Sequence, residues 1–416
     1  MMIKPYTCIS SGVGFMNKQR IHFCAAAMST IYFAVPQVSA QTFTESLQQG
    51  SSVKVNLRTR FEDVSEDGLQ DSDALTARTR LSYQSGTWNG FGFSAEFDDV
   101  TELDGKVDYR AYPGDPQNPG TAVIGDPEGT EVNQAFIAYT NASNQVRYGR
   151  QRIILDNSRF IGNVGWRQNE QTYDGFSVVN KSIVDTSITY AYIWNVNRVF
   201  GDNNPIQPDH HMDSHIVNIG YSGFSAGKLT GYAYLLDNDT APALSGDTVG
   251  IRWQGILNKT FSYNLEYARQ TNAGVAESFD ADYMLGEAVF TLSGFNITLG
   301  YELLGSDDGS YGFATPLATL HAFQGWADKF LATPAVGLED KYINVGTTVA
   351  GIQFLLSYHK FDADIGSQDL GDEIDLSASR KFGSVVLTAK YADYAMGDVA
   401  AFRDTTKFWL MLDWNF

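Results

Sequence analysis

The sequence predicts an all-β fold: a transmembrane up-and-down antiparallel β-barrel of eighteen strands, with long extracellular loops and short periplasmic turns. Three observations predict it. Apolar and polar residues alternate with period two along most of the chain. The connections between alternating segments are by turns long and short. The chain closes on an alternating aromatic segment that ends at Phe416.

The first forty residues precede the alternation and read as a secretory leader. Lys18 and Arg20 make a positive region, and 21–35 is mostly apolar. Pro36 interrupts it, and Val38-Ser39-Ala40 offers a small-residue cleavage site before Gln41. Met16 is an alternative start. Both cysteines, Cys8 and Cys24, fall in this leader, so the exported chain is expected to be stable without a disulfide. Residues 41–52 are then a short periplasmic segment, too short for a plug, and 53–416 a single barrel domain.

The strands come next. From Val53, the residues Val53, Val55, Leu57, Thr59 and Phe61 share one face; Lys54, Asn56, Arg58, Arg60 and Glu62 share the other. The next segment sets Leu75, Ala77, Thr79, Leu81 and Tyr83 against Thr76, Arg78, Arg80 and Ser82. Further clear cases are Phe91/Phe93/Ala95/Phe97, Phe261/Tyr263/Leu265/Tyr267, Phe295/Ile297/Leu299/Tyr301, Ile352/Phe354/Leu356/Tyr358 and Val385/Leu387/Ala389/Tyr391. Weaker segments lie near 132–140, 173–180 and 282–292. A one-faced strand averages out in any window, so mean hydropathy is only -0.21 although 43% of residues are hydrophobic. No segment after the leader holds the eighteen or so consecutive apolar residues that a spanning helix needs.

The long connections are 63–73, 99–130, 151–172, 195–212, 237–247, 270–280, 304–340, 362–372 and 393–405. Short turns such as 85–89, 140–144, 223–227, 257–259, 293–294, 350–351 and 382–384 lie between them. An up-and-down barrel with one rim outside gives this parity; sandwiches and propellers do not require it. Pro113, Pro116, Pro119, Pro127, Pro205, Pro208, Pro242, Pro316 and Pro334 all fall in long connections. A closed barrel has no edge strand to accommodate a residue that cannot donate to the ladder. Phe408, Leu410, Leu412, Trp414 and Phe416 form the closing strand.

Charge sorts by position. The net charge is -19, and most of the 48 acidic residues lie in the long connections, as do Asp63, Glu66, Asp67, Asp71 and Asp73 in the first. Such a rim is either simply solvated or bridged by divalent cations, to itself or to lipopolysaccharide phosphates. An acidic surface excludes nucleic acid as the main partner. The basic residues differ. Arg58, Arg60, Arg78 and Arg80 take the polar, lumen-facing parity, as do Lys54, Arg147, Arg252 and Lys390. A charge on the lipid face at mid-depth would cost about 2–4 kcal/mol. Inward guanidiniums either attract anions or pair with inward acids such as Glu96 and Glu266 and stiffen the wall.

Two loops are unusual. The 151–172 connection combines Arg152, Arg159, Arg167 and several amides with Ile153, Ile154, Leu155, Phe160, Ile161 and Trp166. A loop made only for solvent would not carry those anchors, so it is expected to fold inward and narrow the pore. The 304–340 connection carries Phe313, Leu317, Leu320, Phe323, Trp326, Phe330 and Leu331, and is expected to pack into or over the mouth with a helical turn at 317–331.

The blocks Leu75–Phe91, Gly129–Ala138, Gly149–Asp174, Asn195–Gly201, Thr315–Leu331 and the closing strand resemble the alginate export family of bacterial outer-membrane porins. The resemblance implies an eighteen-stranded barrel in the Gram-negative outer membrane, embedded in its lipid and lipopolysaccharide, with an arginine-lined pore. It adds Arg150, Arg152, Arg159 and Arg167 to the candidate lining of Arg58, Arg60, Arg78, Arg80, Arg147 and Arg252. It implies an anionic cargo: an acidic, uronate-type poly- or oligosaccharide, or a small anion, moving out or in. The alternatives are a general diffusion porin and a non-transporting structural or adhesion barrel. No cofactor, metal or enzymatic activity is expected. Asp209, His210, His211, Asp213 and His215 have a metal-site composition, but they lie at a loop-to-strand junction where polar crowding is common. No G-x-S-x-G elbow is present.

Overall fold

The computed structural model describes residues 42–105, 109–205, 208–272 and 279–416; the expected leader, with Cys8, Cys24 and the expected cleavage site, lies outside them. A short helix, α1 (Phe43–Gln48), comes first. Thr42 and Glu45 cap it reciprocally, each side chain accepting the other residue's backbone N–H. The helix docks on the first periplasmic turn. Gly86 N–H donates to the Leu47 carbonyl at 2.7 Å, and Phe43 meets Trp88 edge-on at 5.4 Å. A side chain at 86 would strike the Gln49 carbonyl, so only glycine permits this approach.

Eighteen long strands follow. They are β1 (Ser52–Glu66), β2 (Ser72–Gln84), β3 (Phe91–Glu102), β4 (Gly129–Thr140), β5 (Asn144–Gln151), β6 (Thr172–Asn180), β7 (Thr186–Asn197), β8 (Asp209–Phe224) and β9 (Gly227–Leu236). Then come β10 (Gly246–Ile256), β11 (Phe261–Thr271), β12 (Asp280–Leu292), β13 (Phe295–Leu304), β16 (Leu338–Val349), β17 (Ile352–Asp362), β18 (Asp369–Phe382), β19 (Val385–Ala395) and β20 (Thr405–Asn415). A two-residue hairpin, β14 (Ser306–Asp307) with β15 (Tyr311–Gly312), lies inside the loop between β13 and β16. Each long strand pairs antiparallel with the next, and β1 pairs with β20, setting Phe61 opposite Leu410. Closure leaves the barrel without an open edge, the condition for crossing hydrocarbon with strands.

The outer face is apolar. Leu81, Leu265, Leu299, Leu356, Leu376 and Leu410 are all exposed there. Phe91, Tyr221, Phe295 and Trp414 are exposed near the periplasmic end, and Tyr267, Tyr301, Tyr358 and Phe408 near the other, as aromatic girdles require. The buried apolar cluster is inside. Ile153, Phe160 and Ile161 from the β5–β6 loop pack with Phe313, Leu317 and Phe330 from the β13–β16 loop, against Tyr232, Tyr283, Phe361 and Trp409 of the wall. The expected inward packing of both loops is therefore what the fold contains. A second cluster joins Tyr109, Ala122 and Ile124 of the β3–β4 loop to Val64 and Ala74.

Strands run further into the acidic connections than alternation suggests. β3 continues through Asp98, Asp99 and Glu102, and β8 begins at Asp209. Backbone pairing beyond the lipid band is indifferent to side-chain polarity, so acid-rich ends still join the ladder. The weak segments near 132–140, 173–180 and 282–292 are β4, β6 and β12. The helical turn expected at 317–331 is a single 3-10 turn, Leu320–Ala322.

Leu356→Arg, at the middle of β17 on the outer face, should destabilise the barrel in lipid vesicles by about 2–4 kcal/mol. Val349→Arg, at the periplasmic end of the neighbouring β16 and also on the outer face, should cost about 0–1 kcal/mol. Urea titrations of the two variants check this; equal costs would place Leu356 away from the lipid.

Candidate pore lining and constriction

The β5–β6 loop crosses the barrel and is tied to the opposite wall by its own main chain. Arg58 Nη1 donates to the carbonyls of Gly165 at 3.0 Å, Trp166 at 3.3 Å and Arg167 at 3.3 Å. Arg60 also donates to the Trp166 carbonyl, and its guanidinium lies over the Trp166 ring at 4.4 Å. Arg78 Nη1 donates to the Gln168 carbonyl at 3.0 Å. Three inward guanidiniums on β1 and β2 thus supply donors that a non-β backbone lacks in the interior.

Carboxylates hold Arg58 and Arg60 in place, while Arg78 Nη2 donates to Asn56 Oδ1 at 2.6 Å. Arg58 pairs with Asp413 at 2.9 Å and Arg60 with Asp126 at 2.8 Å. Arg80 grips Asp98 with two bonds, at 2.6 and 2.5 Å. Arg80 and Arg152 both pair with Glu170 of the loop, and Arg152 also with Glu96. Burial alone would raise the Glu170 carboxyl; the two guanidiniums outweigh it and hold it at about 2. Arg159, on the loop, bonds Glu302 at 2.6 Å and is 1% exposed. Arg252 pairs with Glu266 within the wall. Arg78 and Arg147 have no carboxylate within ion-pair distance among the described residues; Arg147 lies against the Phe136 ring at 5.0 Å.

Arg150 departs from the expected lining. It is an odd number of residues from inward Arg147, with no register shift between, so it takes the parity of Tyr148, which is 60% exposed outside. There it pairs with Asp174 at 2.9 Å. The parity of β5 alone distinguishes Arg150 from the inward arginines.

A second network joins the two inward loops to each other. Arg167 pairs with Glu62 at 2.9 Å and with Asp328 at 3.2 Å. Lys407 reaches Asp328 at 2.9 Å, and His321 Nδ1 reaches it at 2.8 Å. Lys390 Nζ donates to His321 Nε2 at 2.8 Å and sits 3.9 Å from the Trp166 ring and 3.6 Å from the Trp326 ring. Because Nε2 accepts, the hydrogen-bond pattern assigns the ring proton to Nδ1, which donates to Asp328. Burial, then the charge of Lys390, push the His321 imidazole down to about 3, against the pull of Asp328. Inward parity on β20 already marks Lys407 and Trp409; the convergence on Asp328 comes from tertiary folding.

Two cavities flank the crossing. Arg58 lines the periplasmic one, about 650 Å³, and Val64 and Glu66 line the extracellular one, about 410 Å³. Between them Arg60 and Glu62 are fully buried beneath the loop. The periplasmic cavity carries Lys54, Arg58, Arg78, Arg80 and Arg152 against Glu96 and Asp413. The extracellular one carries Arg110, Arg167, Arg198, Lys329 and Lys407 against Glu66 and Asp328. The histidines at the start of β8 do not converge: His210 is buried inward, and His211 and His215 are exposed. Among the described residues no group of three or more His, Cys, Asp or Glu is arranged to hold a metal ion.

Local opening of 317–331 would release His321 to water, where it takes a proton near pH 6.5. Folded, it stays neutral down to about pH 3. Its contribution is therefore complete above 6.5 and declines as pH falls towards 3. Opening should rise about tenfold per pH unit across that window. Hydrogen exchange of this segment, corrected for intrinsic rates, measures it, and His321→Gln should flatten the slope. An undiminished slope in that variant would assign the dependence to other groups.

A family model described as alginate export matches residues 50–306. No curated protein matches. Three solved outer-membrane structures share the architecture. OccAB2 of Acinetobacter baumannii is 19% identical with a TM-score of 0.69, covering 89% of this chain and 99% of its own. OccAB4 of the same species is 12% identical at 0.70, covering 89% and 98%. OpdK of Pseudomonas aeruginosa, solved with vanillate, is 12% identical at 0.69, covering 89% and 99%. At these identities the likeness is one of fold. With the family match across more than half its length, the chain belongs to the alginate export family, and its closed eighteen-stranded barrel is that of a Gram-negative outer-membrane porin.

Proposed function

We propose that the barrel is a channel, not an enzyme, that passes anionic solutes through an arginine-lined lumen, with uronate-type saccharides the class its family points to. The basic lining of the two cavities above and below the loop crossing carries this reading. The chain as a whole has a net charge of -19, yet the extracellular and the periplasmic cavity are each lined by five basic and two acidic side chains. A positive, low-dielectric passage lowers the barrier for anions and raises it for cations. Guanidiniums also match carboxylates bidentately.

The loop crossing acts as the constriction. It occupies the lumen at the level of Arg60 and Glu62, and its carbonyls occupy donors that would otherwise face the passage. Lys54 and Arg78 lack carboxylate partners among the described residues and face the periplasmic cavity, so they contribute most to its field.

Reconstituted protein should conduct in planar bilayers, with reversal potentials in a salt gradient favouring anions. Lys54→Gln combined with Arg78→Gln should reduce that preference several-fold; an unchanged preference would leave both charges structural. Deleting 153–170 should raise single-channel conductance. A folded barrel with equal or lower conductance would remove the loop from the role of constriction.

A further inference from the structure

We infer that the extracellular cavity is a capture site for compact organic acids with an apolar body, distinct in preference from the polar cavity below it. This rests on the anion-channel reading and goes beyond it, assigning this cavity a class of anion other than the uronates that the family points to. The cavity holds about 410 Å³, within the range of small-molecule sites. Its walls include Val64, Leu69, Val123, Val199, Phe200 and Leu320. That is apolar surface at the mouth of a water-filled channel, where solvated loops are the norm.

The charges within it divide into two sets. Glu66 is met by Lys329 at 3.5 Å, and Asp328 by Lys407 at 2.9 Å and Arg167 at 3.2 Å, so those acids and bases answer one another. Arg110 and Arg198 remain. Arg110 Nε donates to the Thr121 carbonyl at 2.7 Å, and Arg198 Nη1 contacts His210 Nε2 at 2.8 Å. No described residue places a carboxylate within ion-pair distance of either guanidinium. Each has five N–H donors, more than these contacts use.

A ligand that fits therefore brings an anionic group for the guanidiniums and a body without hydroxyls for the walls. A sugar acid of equal charge would press hydroxyls against valine and leucine with no partner, and each such burial is unfavourable. The periplasmic cavity is the reverse: Asn56, Ser82 and Asn415 line it beside the arginines.

Isothermal titration of the full barrel in detergent with sodium benzoate and with sodium glucuronate tests the inference. Benzoate should bind saturably and at least tenfold more tightly than glucuronate. Arg110→Gln with Arg198→Gln should weaken benzoate binding about tenfold. Leu69→Gln with Val123→Thr, which alters no charge, should narrow the preference, and heat-modifiable migration on gels verifies that each variant is folded. Equal affinity for the two acids, or benzoate binding unchanged in both variants, would overturn the inference. Failure of the channel reading would appear separately, as reversal potentials without anion preference.

Discussion

A loop main chain drawn into the lumen leaves carbonyls without strand partners, and the guanidiniums of Arg58, Arg60 and Arg78 satisfy them. The interior depends on this. Each carbonyl left unpaired in the buried crossing would cost about 1–3 kcal/mol. With the donors in place, Phe160 and Ile161 reach the far side of the barrel and build a core there. The wall arginines are thus scaffold before they are anything else, and Asp126, Asp413 and Asp98 fix their positions.

The two inward loops depend on each other as well. Trp166 of one and Trp326 of the other close on Lys390 from the wall, and Arg167 of the first shares Asp328 of the second with Lys407. A desolvated ammonium between two indole faces is held more strongly than one at the surface. Neither loop completes this cage alone, so the pair is expected to order together.

Much of the fold was legible because one physical rule, period two, governs every strand that faces lipid on one side. The same rule placed the inward arginines, and the apolar anchors at 153–166 and 313–331 marked the loops that turn inward. Partnership was legible only along the wall, where Glu96 and Glu266 do meet inward arginines; across the lumen it was not. Arg159 meets Glu302 and Arg167 meets Asp328 across more than a hundred residues of sequence, and no local pattern relates them. Asp126 looked like any other acid of a long loop, although it anchors Arg60 and accepts the Gln168 N–H at 2.8 Å. Arg150 was misplaced because it was taken with a contiguous block instead of being tested against its own strand's parity. Helix α1, at six residues, is too short to display a period.

The carboxylates carried by the crossing loop have a consequence for how such barrels diversify. Glu170 neutralises charge on Arg80 and Arg152, while the same segment fills the bore. Width and field are therefore written into one insertion. On the proposed anion-channel reading, a lineage that shortened this loop would widen its channel and free the donors of Arg58, Arg60 and Arg78 in the same step, so larger cargo and more accessible guanidiniums would be inherited together.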